Sequence, residues 1–224
     1  MRMHWVPAAC VAATTLATPL VAQSADATID RATAAWAKIK TVRGTFEQTV
    51  TNSLTGSSAN ARGTYVQERP NRLAIRFEEP GADAIIADGK AVWVYLPSSS
   101  PGQVVKRPAT DHASVPIDIT GQFLDSPRTK YDITAAGTRT VSGHPAHGLT
   151  LVPKAGTKAA FTKATVWIDD DDALIREFEA TEPSGVTRHV RLTSLELNAP
   201  VANSMFTFVV PKGVKVVDQT APPG

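Results

Sequence analysis

Residues 72–78 read Arg-Leu-Ala-Ile-Arg-Phe-Glu and alternate strictly between apolar and polar or small side chains. Successive side chains of a β-strand point to opposite faces, so Leu73, Ile75 and Phe77 fall on one side of an extended chain. The turn sequence Glu-Arg-Pro-Asn at 68–71 comes directly before this segment. We therefore predict a strand with one apolar face. The recurrence of this pattern along the chain determines the fold class that we predict.

The same two-residue period recurs along most of the chain, separated by short turn signals such as Asp88-Gly89, which favours a tight hairpin. Further strands are predicted at 41–50, 61–67, 84–87, 91–96, 104–107, 131–135, 147–152, 161–168, 173–181, 186–197 and 205–210. About 10–11 antiparallel strands in one domain predict a mainly β fold with a curled sheet. We expect an incomplete antiparallel β-barrel, or half-barrel, with an apolar concave face.

Two segments differ in pattern from the predicted strands, and the first of them has a helical period. The first is 27–40, for which Asp26 or Thr28 is the expected N-cap, and its apolar positions are Ile29, Ala32, Trp36 and Ile39. The second is 111–124, where we expect a short helix or two turns with Pro116 in the first turn. An apolar sheet face has to be covered, so both segments are candidates for a helical lid, although the first also fits a helix on an ordinary core.

Residues 1–25 have the pattern of a signal peptide: Arg2, an uncharged apolar run, and small residues at Ala22 and Ala25, near which cleavage is expected. The mature chain, of about 200 residues, then forms one domain over 26–219 with a frayed tail at 220–224. We expect an exported, soluble protein of the periplasm.

The only cysteine is Cys10, so the mature chain would have no disulfide. A lipidated cysteine would instead anchor the protein to a membrane. The apolar run continues beyond Cys10, whereas a lipidated cysteine should end such a run, and the anchored alternative is therefore the weaker one.

The sequence contains no recognisable catalytic or metal-binding pattern. Neither G-x-S-x-G nor H-E-x-x-H is present, and the carboxylate run 169–172 lacks the ligand spacing of a calcium loop, so a solvated hairpin turn is expected there. His144 and His147 are expected in a solvated loop. The formal net charge is only +2 and shows no basic stripe, which argues against nucleic acid as a partner. We expect no enzymatic activity, no metal and no cofactor.

Five sequence blocks resemble, in order, those of the periplasmic lipoprotein carriers of the LolA type. They are Gly-Thr-Phe-Glu-Gln-Thr-Val at 44–50, Gly-Thr-Tyr-Val to Arg-Pro-Asn over 63–71, Ile-Ile-Ala-Asp-Gly-Lys with Val-Trp-Val-Tyr over 85–95, Leu-Thr-Leu-Val-Pro-Lys at 149–154, and Phe-Thr-Phe with Pro-Lys-Gly-Val over 206–214. No single block is specific, but five in order are. Unlike the aromatic cavity strand common in that family, this chain has Leu73 and Ile75.

The resemblance implies a half-barrel that holds the acyl chains of lipoproteins in its apolar cavity, because each exposed CH₂ costs about 0.8 kcal/mol in water. It implies three kinds of partner: acylated lipoproteins, an ATP-driven extractor in the inner membrane, and a receptor in the outer membrane, with the carrier itself a monomer. Arg69 matches the family arginine that bonds to the lid backbone and holds the empty form closed.

The resemblance and the alternation together give the expected cavity residues: Trp36, Phe46, Leu73, Ile75, Phe77, Ile86, Val94, Leu149, Leu151 and Phe178. Two readings of the same fold stay open beside the carrier, a lipid-anchored receptor and a sensor module that binds lipid or lipoprotein.

Overall fold

The computed structural model describes residues 24–79, 81–109 and 119–220. The predicted signal peptide lies outside the described residues except for its last two positions. Residues 111–118 of the second predicted helix and 221–224 of the tail also lie outside them.

Twelve β-strands within the described residues form one sheet. Their bounds are β1 Thr41–Asn52, β2 Ser58–Glu68, β3 Arg72–Glu79, β4 Ala84–Asp88, β5 Ala91–Tyr95, β6 Gln103–Pro108, β7 Tyr131–Val141, β8 His144–Pro153, β9 Lys163–Asp169, β10 Ile175–Thr181, β11 Val186–Leu197 and β12 Lys215–Asp218. The order across the sheet is β12-β6-β5-β4-β3-β2-β1-β11-β10-β9-β8-β7, and every pair is antiparallel except β12 with β6. The edges β12 and β7 do not pair with each other, so the sheet is open.

The sheet is strongly curled. Strands β5 and β10 are six steps apart in the sheet order, which would separate them by about 29 Å in a flat sheet. Nevertheless Val94 of β5 and Phe178 of β10 line the same cavity. The predicted mainly β, incomplete antiparallel barrel is therefore confirmed. Periodicity did not predict β12, which extends the sheet beyond β6 by parallel pairing.

Three helices of the described chain lie on the sheet's concave side: α1 (Ala25–Ala37), α2 (Gly121–Leu124) and α3 (Pro127–Lys130). The buried side of α1 contains Ile29, Ala32 and Trp36, as its period predicted. Its N-cap is neither Asp26 nor Thr28. Ser24 has that role, since its hydroxyl oxygen accepts a hydrogen bond from the backbone N–H of Ala27 at 3.2 Å.

The concave side divides into a filled part and a hollow part. Beneath α1, side chains from β1 and from β7 to β11 form a continuous core, in which Leu149, Leu151 and Val166 are almost completely buried. A smaller group, Leu73, Ala87 and Val92, fills the concave side of β3 to β5. The space between these two groups is the cavity described below.

The opposite, convex face of β2 to β4 has its own apolar cluster. Val66, Ala74 and Ile86 lie beneath the fully buried ring of Phe206. The predicted strand at 205–210 is wrong, because Asn203–Phe206 is a 3₁₀ helix whose last residue packs down on this face. The placement of Ile86 in the cavity is also wrong: on β4, Ile85 and Ala87 face the concave side, and Ile86 faces Phe206.

The turn between β9 and β10 is not the solvated hairpin that its four aspartates suggested. Asp169 is fully buried, and its carboxylate accepts a hydrogen bond from Nε of Arg176 at 2.8 Å, with Nδ1 of His144 at 3.0 Å. Burial would raise the pKa of Asp169, but hydrogen bonds from the backbone N–H of Asp171 and from Arg176 outweigh it, and its pKa lies below 3.8. The charge is therefore kept by partners rather than by water.

Glu177 is the second buried carboxylate, on the convex face of β10 with only 3% of its side chain exposed. It accepts hydrogen bonds from Nε2 of His189 at 2.6 Å and from Nε of Arg191 at 3.0 Å, and it also pairs with Arg139. Burial would raise the pKa of Glu177, but the bonds from His189 and Arg191 outweigh it, so the pKa lies below its ordinary value of 4.5.

We predict that Glu177→Gln lowers the stability of the fold at neutral pH by about 1–3 kcal/mol, because Arg139, His189 and Arg191 lose their charged acceptor. A depressed folded-state pKa gives stability that is complete above pH 4.5 and lost as the pH falls through the folded pKa. The free energy of unfolding should therefore depend less on pH below 4.5 in the variant than in the original chain.

Urea denaturation at a series of pH values measures both effects. Glu179→Gln is the matched control, because it removes the same charge from an exposed position on the same strand. Identical pH profiles for the two variants would contradict the role given to Glu177.

Candidate functional site

The concave face contains an apolar cavity of about 370 Å³ between its two filled regions. Its walls come from β1, β3, β4, β5, β10 and β11, and its cover comes from the residues around α2 and the turn before β9. The apolar lining residues are Phe46, Ile75, Phe77, Ile85, Val94, Leu96, Ile119, Ala160, Phe161, Phe178, Ala180, Val190 and Leu192. The polar ones are Gln48, Gln122, Glu182 and Arg188.

Aromatic contacts brace the wall and the cover of this cavity. The rings of Phe46 and Phe77 meet edge to face, with centroids 5.5 Å apart and planes at 88°. Phe123 of α2 reaches across to Phe178 of β10 at 5.0 Å and to Phe161 at 5.5 Å. The cover is thus held to the sheet by ring contacts and by the hydrogen bond that the Tyr131 hydroxyl of β7 donates to the backbone carbonyl of Gln122 at 2.7 Å.

Five of the ten predicted cavity residues line the cavity: Phe46, Ile75, Phe77, Val94 and Phe178. Four others, Trp36, Leu73, Leu149 and Leu151, face the concave side but are buried in its filled regions. The tenth is Ile86, on the convex face.

Sequence reasoning missed several lining residues. Val190 and Leu192 follow the alternation of β11, which gave a signal for them, whereas Ile119 and Phe161 lie outside strands, where no periodicity could identify them.

Arg69 lies at the end of α1, where the sequence comparison placed a lid contact. Its Nη1 donates hydrogen bonds to the backbone carbonyls of Trp36 at 2.8 Å and of Ile39 at 3.2 Å. Its guanidinium carbon is 5.0 Å from the centre of the Trp36 ring. These carbonyls belong to the last turn of α1 and the residues after it, where helices leave acceptors free and carry partial negative charge.

The charge of Arg69 also extends to the end of α2. The pKa of Asp125, the residue that follows α2, is lowered first by a hydrogen bond from Lys130; burial opposes this, and the charge of Arg69 adds a smaller lowering. The Arg69 guanidinium bonds to the end of α1 and acts on the end of α2 only through its charge.

The other end of α1 is also held by arginines. Nη2 of Arg31 donates to the backbone carbonyl of Asp170 at 2.9 Å, in the turn between β9 and β10. Arg128 of α3 pairs with Asp26 and, at 2.9 Å, with Asp30. Both contacts are at least partly exposed, so each contributes modestly to stability.

One cluster of possible metal ligands occurs within the described residues, formed by His144, Asp169 and Asp171 with ligand atoms within 4.8 Å of one another. The Arg176 guanidinium already binds the Asp169 carboxylate from 2.8 Å. A cation would have to displace that fixed positive charge, so the geometry favours the ion pair.

The cavity offers apolar contact with few polar groups, which suits hydrocarbon rather than a polar metabolite. Within the described part of the chain, no helix combines the length and the apolar character needed to cross a bilayer.

Comparison with known proteins agrees with this geometry. Residues 37–209 match the family model described as "Outer membrane lipoprotein carrier protein LolA". The chain is 28% identical to the outer-membrane lipoprotein carrier protein of Pasteurella multocida over 183 residues, 81% of this chain and 82% of that protein. It is 26% identical to the protein of the same name from Sodalis glossinidius over 212 residues, covering 94% and 95%.

A solved structure of an uncharacterised conserved protein from Thermus thermophilus has a similar fold, with a TM-score of 0.54 and 15% identity, covering 88% of this chain and all of that one. The match to the family model spans most of the sequence, from the end of α1 to beyond Phe206. This chain therefore belongs to the LolA family of outer membrane lipoprotein carrier proteins.

Proposed function

We propose that this chain is a periplasmic carrier that shields the acyl chains of lipoproteins and transfers them from the inner membrane to a receptor at the outer membrane. The observation that supports it best is the apolar cavity between Phe46, Ile75, Phe77 and Phe178, on the concave face of a sheet of the carrier family. The proposal includes no chemical reaction, so the protein acts as a carrier and not as an enzyme.

The size of the cavity bears on how such a carrier works. A volume of about 370 Å³ is near the lower end of pockets that hold one small molecule. Several acyl chains need more room than this, so a carrier that holds them has to widen the cavity. Loading then requires the cover around α2 and Phe161 to move away from the sheet.

In this proposal Arg69 is the latch of the closed form. Its bonds to the carbonyls of Trp36 and Ile39 exist only while the end of α1 stays next to the turn between β2 and β3. Charged hydrogen bonds of this kind are worth about 1.5–3 kcal/mol. The closed state is thus favourable in its own right, which supports release of cargo to the receptor.

The lipid-anchored receptor is the second reading of the same fold. It would need an acylated Cys10, and that residue lies outside the described part of the chain. Between the two cleavage positions that the signal-peptide pattern offers, the N-cap of α1 favours the one after Ala22, because cleavage after Ala25 would remove Ser24. We expect a mature N-terminus at Gln23, measured by mass spectrometry of the protein from its own periplasm. An acylated Cys10 would instead support the receptor.

We predict that Ile75→Glu keeps the fold but captures less acylated cargo. Ile75 is only partly buried and lines the cavity, so the new carboxylate reaches water when the cavity is empty but faces hydrocarbon when it is loaded. Capture is measured with a triacylated lipopeptide, and folding by circular dichroism.

Leu73→Glu is the matched comparison, two residues earlier on the same strand and the same face. Leu73 is fully buried, so this variant should unfold or lose about 2–5 kcal/mol of stability. If Ile75→Glu fails to fold as Leu73→Glu does, Ile75 is ordinary core and the cavity wall is assigned wrongly.

We predict that Arg69→Leu keeps the fold, binds cargo and transfers it poorly. Loss of the charged hydrogen bonds should move the ratio of open to closed forms by about 10- to 100-fold toward open. Arg69→Lys should restore transfer only in part, because an ammonium lacks the planar fork of a guanidinium. The measurement is transfer of labelled lipopeptide from loaded carrier to receptor, next to a binding assay.

Arg62→Leu is the matched control, because it makes the same substitution at an arginine that does not bond to α1. Arg62 lies on β2 and pairs with Glu79 at 2.9 Å, with both side chains exposed and away from α1. Normal transfer by Arg69→Leu, or an equal defect in Arg62→Leu, would rule out the latch.

A further inference from the structure

The cavity wall changes from apolar to polar along three neighbouring strands. The polar positions are staggered, since Gln48 is level with Val190, Arg188 is level with Ala180, and Glu182 lies beyond Thr181. Along the concave face, each strand presents apolar side chains and then a polar one in the direction of the same rim. The series are Phe46 then Gln48 on β1, Phe178 and Ala180 then Glu182 at the end of β10, and Leu192 and Val190 then Arg188 on β11. The cavity therefore has an apolar end and a polar end.

The three polar side chains form one connected group. Nη1 of Arg188 donates a hydrogen bond to Oε1 of Gln48 at 2.9 Å, and Nη2 donates to Oε1 of Glu182 at 3.2 Å. About a third of each side chain of the ion pair is exposed, 39% for Arg188 and 34% for Glu182. These groups are therefore accessible from the cavity and from solvent.

This group, Gln48, Glu182 and Arg188, carries no net charge but offers unused donors. A guanidinium has five N–H groups and these two bonds use two of them, while the amide of Gln48 adds two more. For a ligand carboxylate at this rim, repulsion by Glu182 offsets attraction by Arg188, and the reverse holds for an ammonium, so neither charge regains the hydration that it loses. An uncharged carbonyl would meet neither penalty and could accept from either donor.

We infer that Gln48, Glu182 and Arg188 form a subsite for the uncharged ester and amide carbonyls that join acyl chains to their cargo. This inference rests on the proposed function and adds what the cavity selects. The hydrocarbon lies between Phe46, Phe178 and the strands opposite, and the ester or amide linkage lies at the polar rim. The group thereby favours an acylated protein terminus over a free fatty acid, whose head is a carboxylate.

The test compares three probes with the same hydrocarbon tail: methyl dodecanoate, N-methyl dodecanamide and dodecanoate. The full chain is titrated at about pH 8, far above the usual pKa of a carboxyl group, and affinity is read by displacement of a fluorescent apolar probe. The original chain should bind the ester and the amide about 10-fold more tightly than the carboxylate.

Two substitutions should move this selectivity in opposite directions. Glu182→Gln leaves Arg188 without its charged partner. The affinity for dodecanoate should therefore rise about 10-fold relative to the affinities for the ester and the amide. Arg188→Gln leaves Glu182 as the only charge, so the carboxylate should lose further affinity and the ester and amide should lose about 3- to 10-fold with their donor.

Glu179→Gln is the matched control, with the same change of charge on β10 but on the convex side of the strand. Its selectivity should equal that of the original chain. An unchanged ratio in Glu182→Gln, or an equal shift in Glu179→Gln, would overturn the subsite, because the ion pair would then be an ordinary one at the rim.

Binding of a triacylated lipopeptide separates the two proposals. If the original chain captures the lipopeptide and the ratios do not change, only the subsite is overturned. If the original chain does not capture the lipopeptide at all, the carrier function itself fails, whatever the ratios of the single-chain probes.

Discussion

A curled sheet with apolar side chains on its concave face has to keep water from that face. A closed barrel does this by pairing its two edge strands, but this sheet is open, so other elements have to cover the face. Helix α1 covers one part with interdigitated side chains, of which Ile29 and Ala32 are completely buried. The other part, around Phe46 and Phe77, stays hollow beneath the residues near α2. A packed core resists being opened because of its many close contacts, whereas a hollow one loses few contacts when its cover moves. The division of one face into these two parts lets a stable fold contain a movable site.

The energies involved fit this division. Burial beneath α1 involves large side chains, each worth about 1.5–3 kcal/mol, which together exceed what one latch contributes. Arg69, by contrast, acts through two hydrogen bonds at the helix end and one ring contact. Its contribution is of the size that changes the populations of two forms without unfolding either. Arg31 joins α1 to the turn between β9 and β10, whereas the space beneath the residues near α2 is hollow, so movement is expected near α2.

Much of the fold could be predicted from periodicity, because a two-residue period is visible wherever one face is buried and the other is not. Periodicity was enough to place Ile75 and Phe77 on the concave face and to predict a covering helix.

Periodicity failed where two neighbouring residues are both apolar. Ile85 and Ile86 give no sign of which one faces inward, and Ile86 was placed on the wrong face. Periodicity also cannot separate a cavity wall from a filled core, and Leu149 belongs to the core because α1 happens to lie above it. The buried Asp169 was missed because its partner Arg176 comes from the next strand along the chain.

The polar rim depends on a feature that periodicity hides. Strand β11 pairs with β1 through a bulge, where Thr45 faces Ser194 and Phe46 faces Leu192, so Thr193 is an extra residue. On the N-terminal side of the bulge the even-numbered Val190 and Leu192 pack against the concave core, and on its C-terminal side the odd-numbered Leu195 does. A regular strand would have turned His189 and Arg191 inward instead, since a shift of one residue reverses every side chain. The bulge also explains Gly44, because a Cβ there would collide with the carbonyl oxygen of Ser194. One inserted residue thus places Arg188 on the wall of the cavity and leaves His189 and Arg191 on the convex face to bind Glu177.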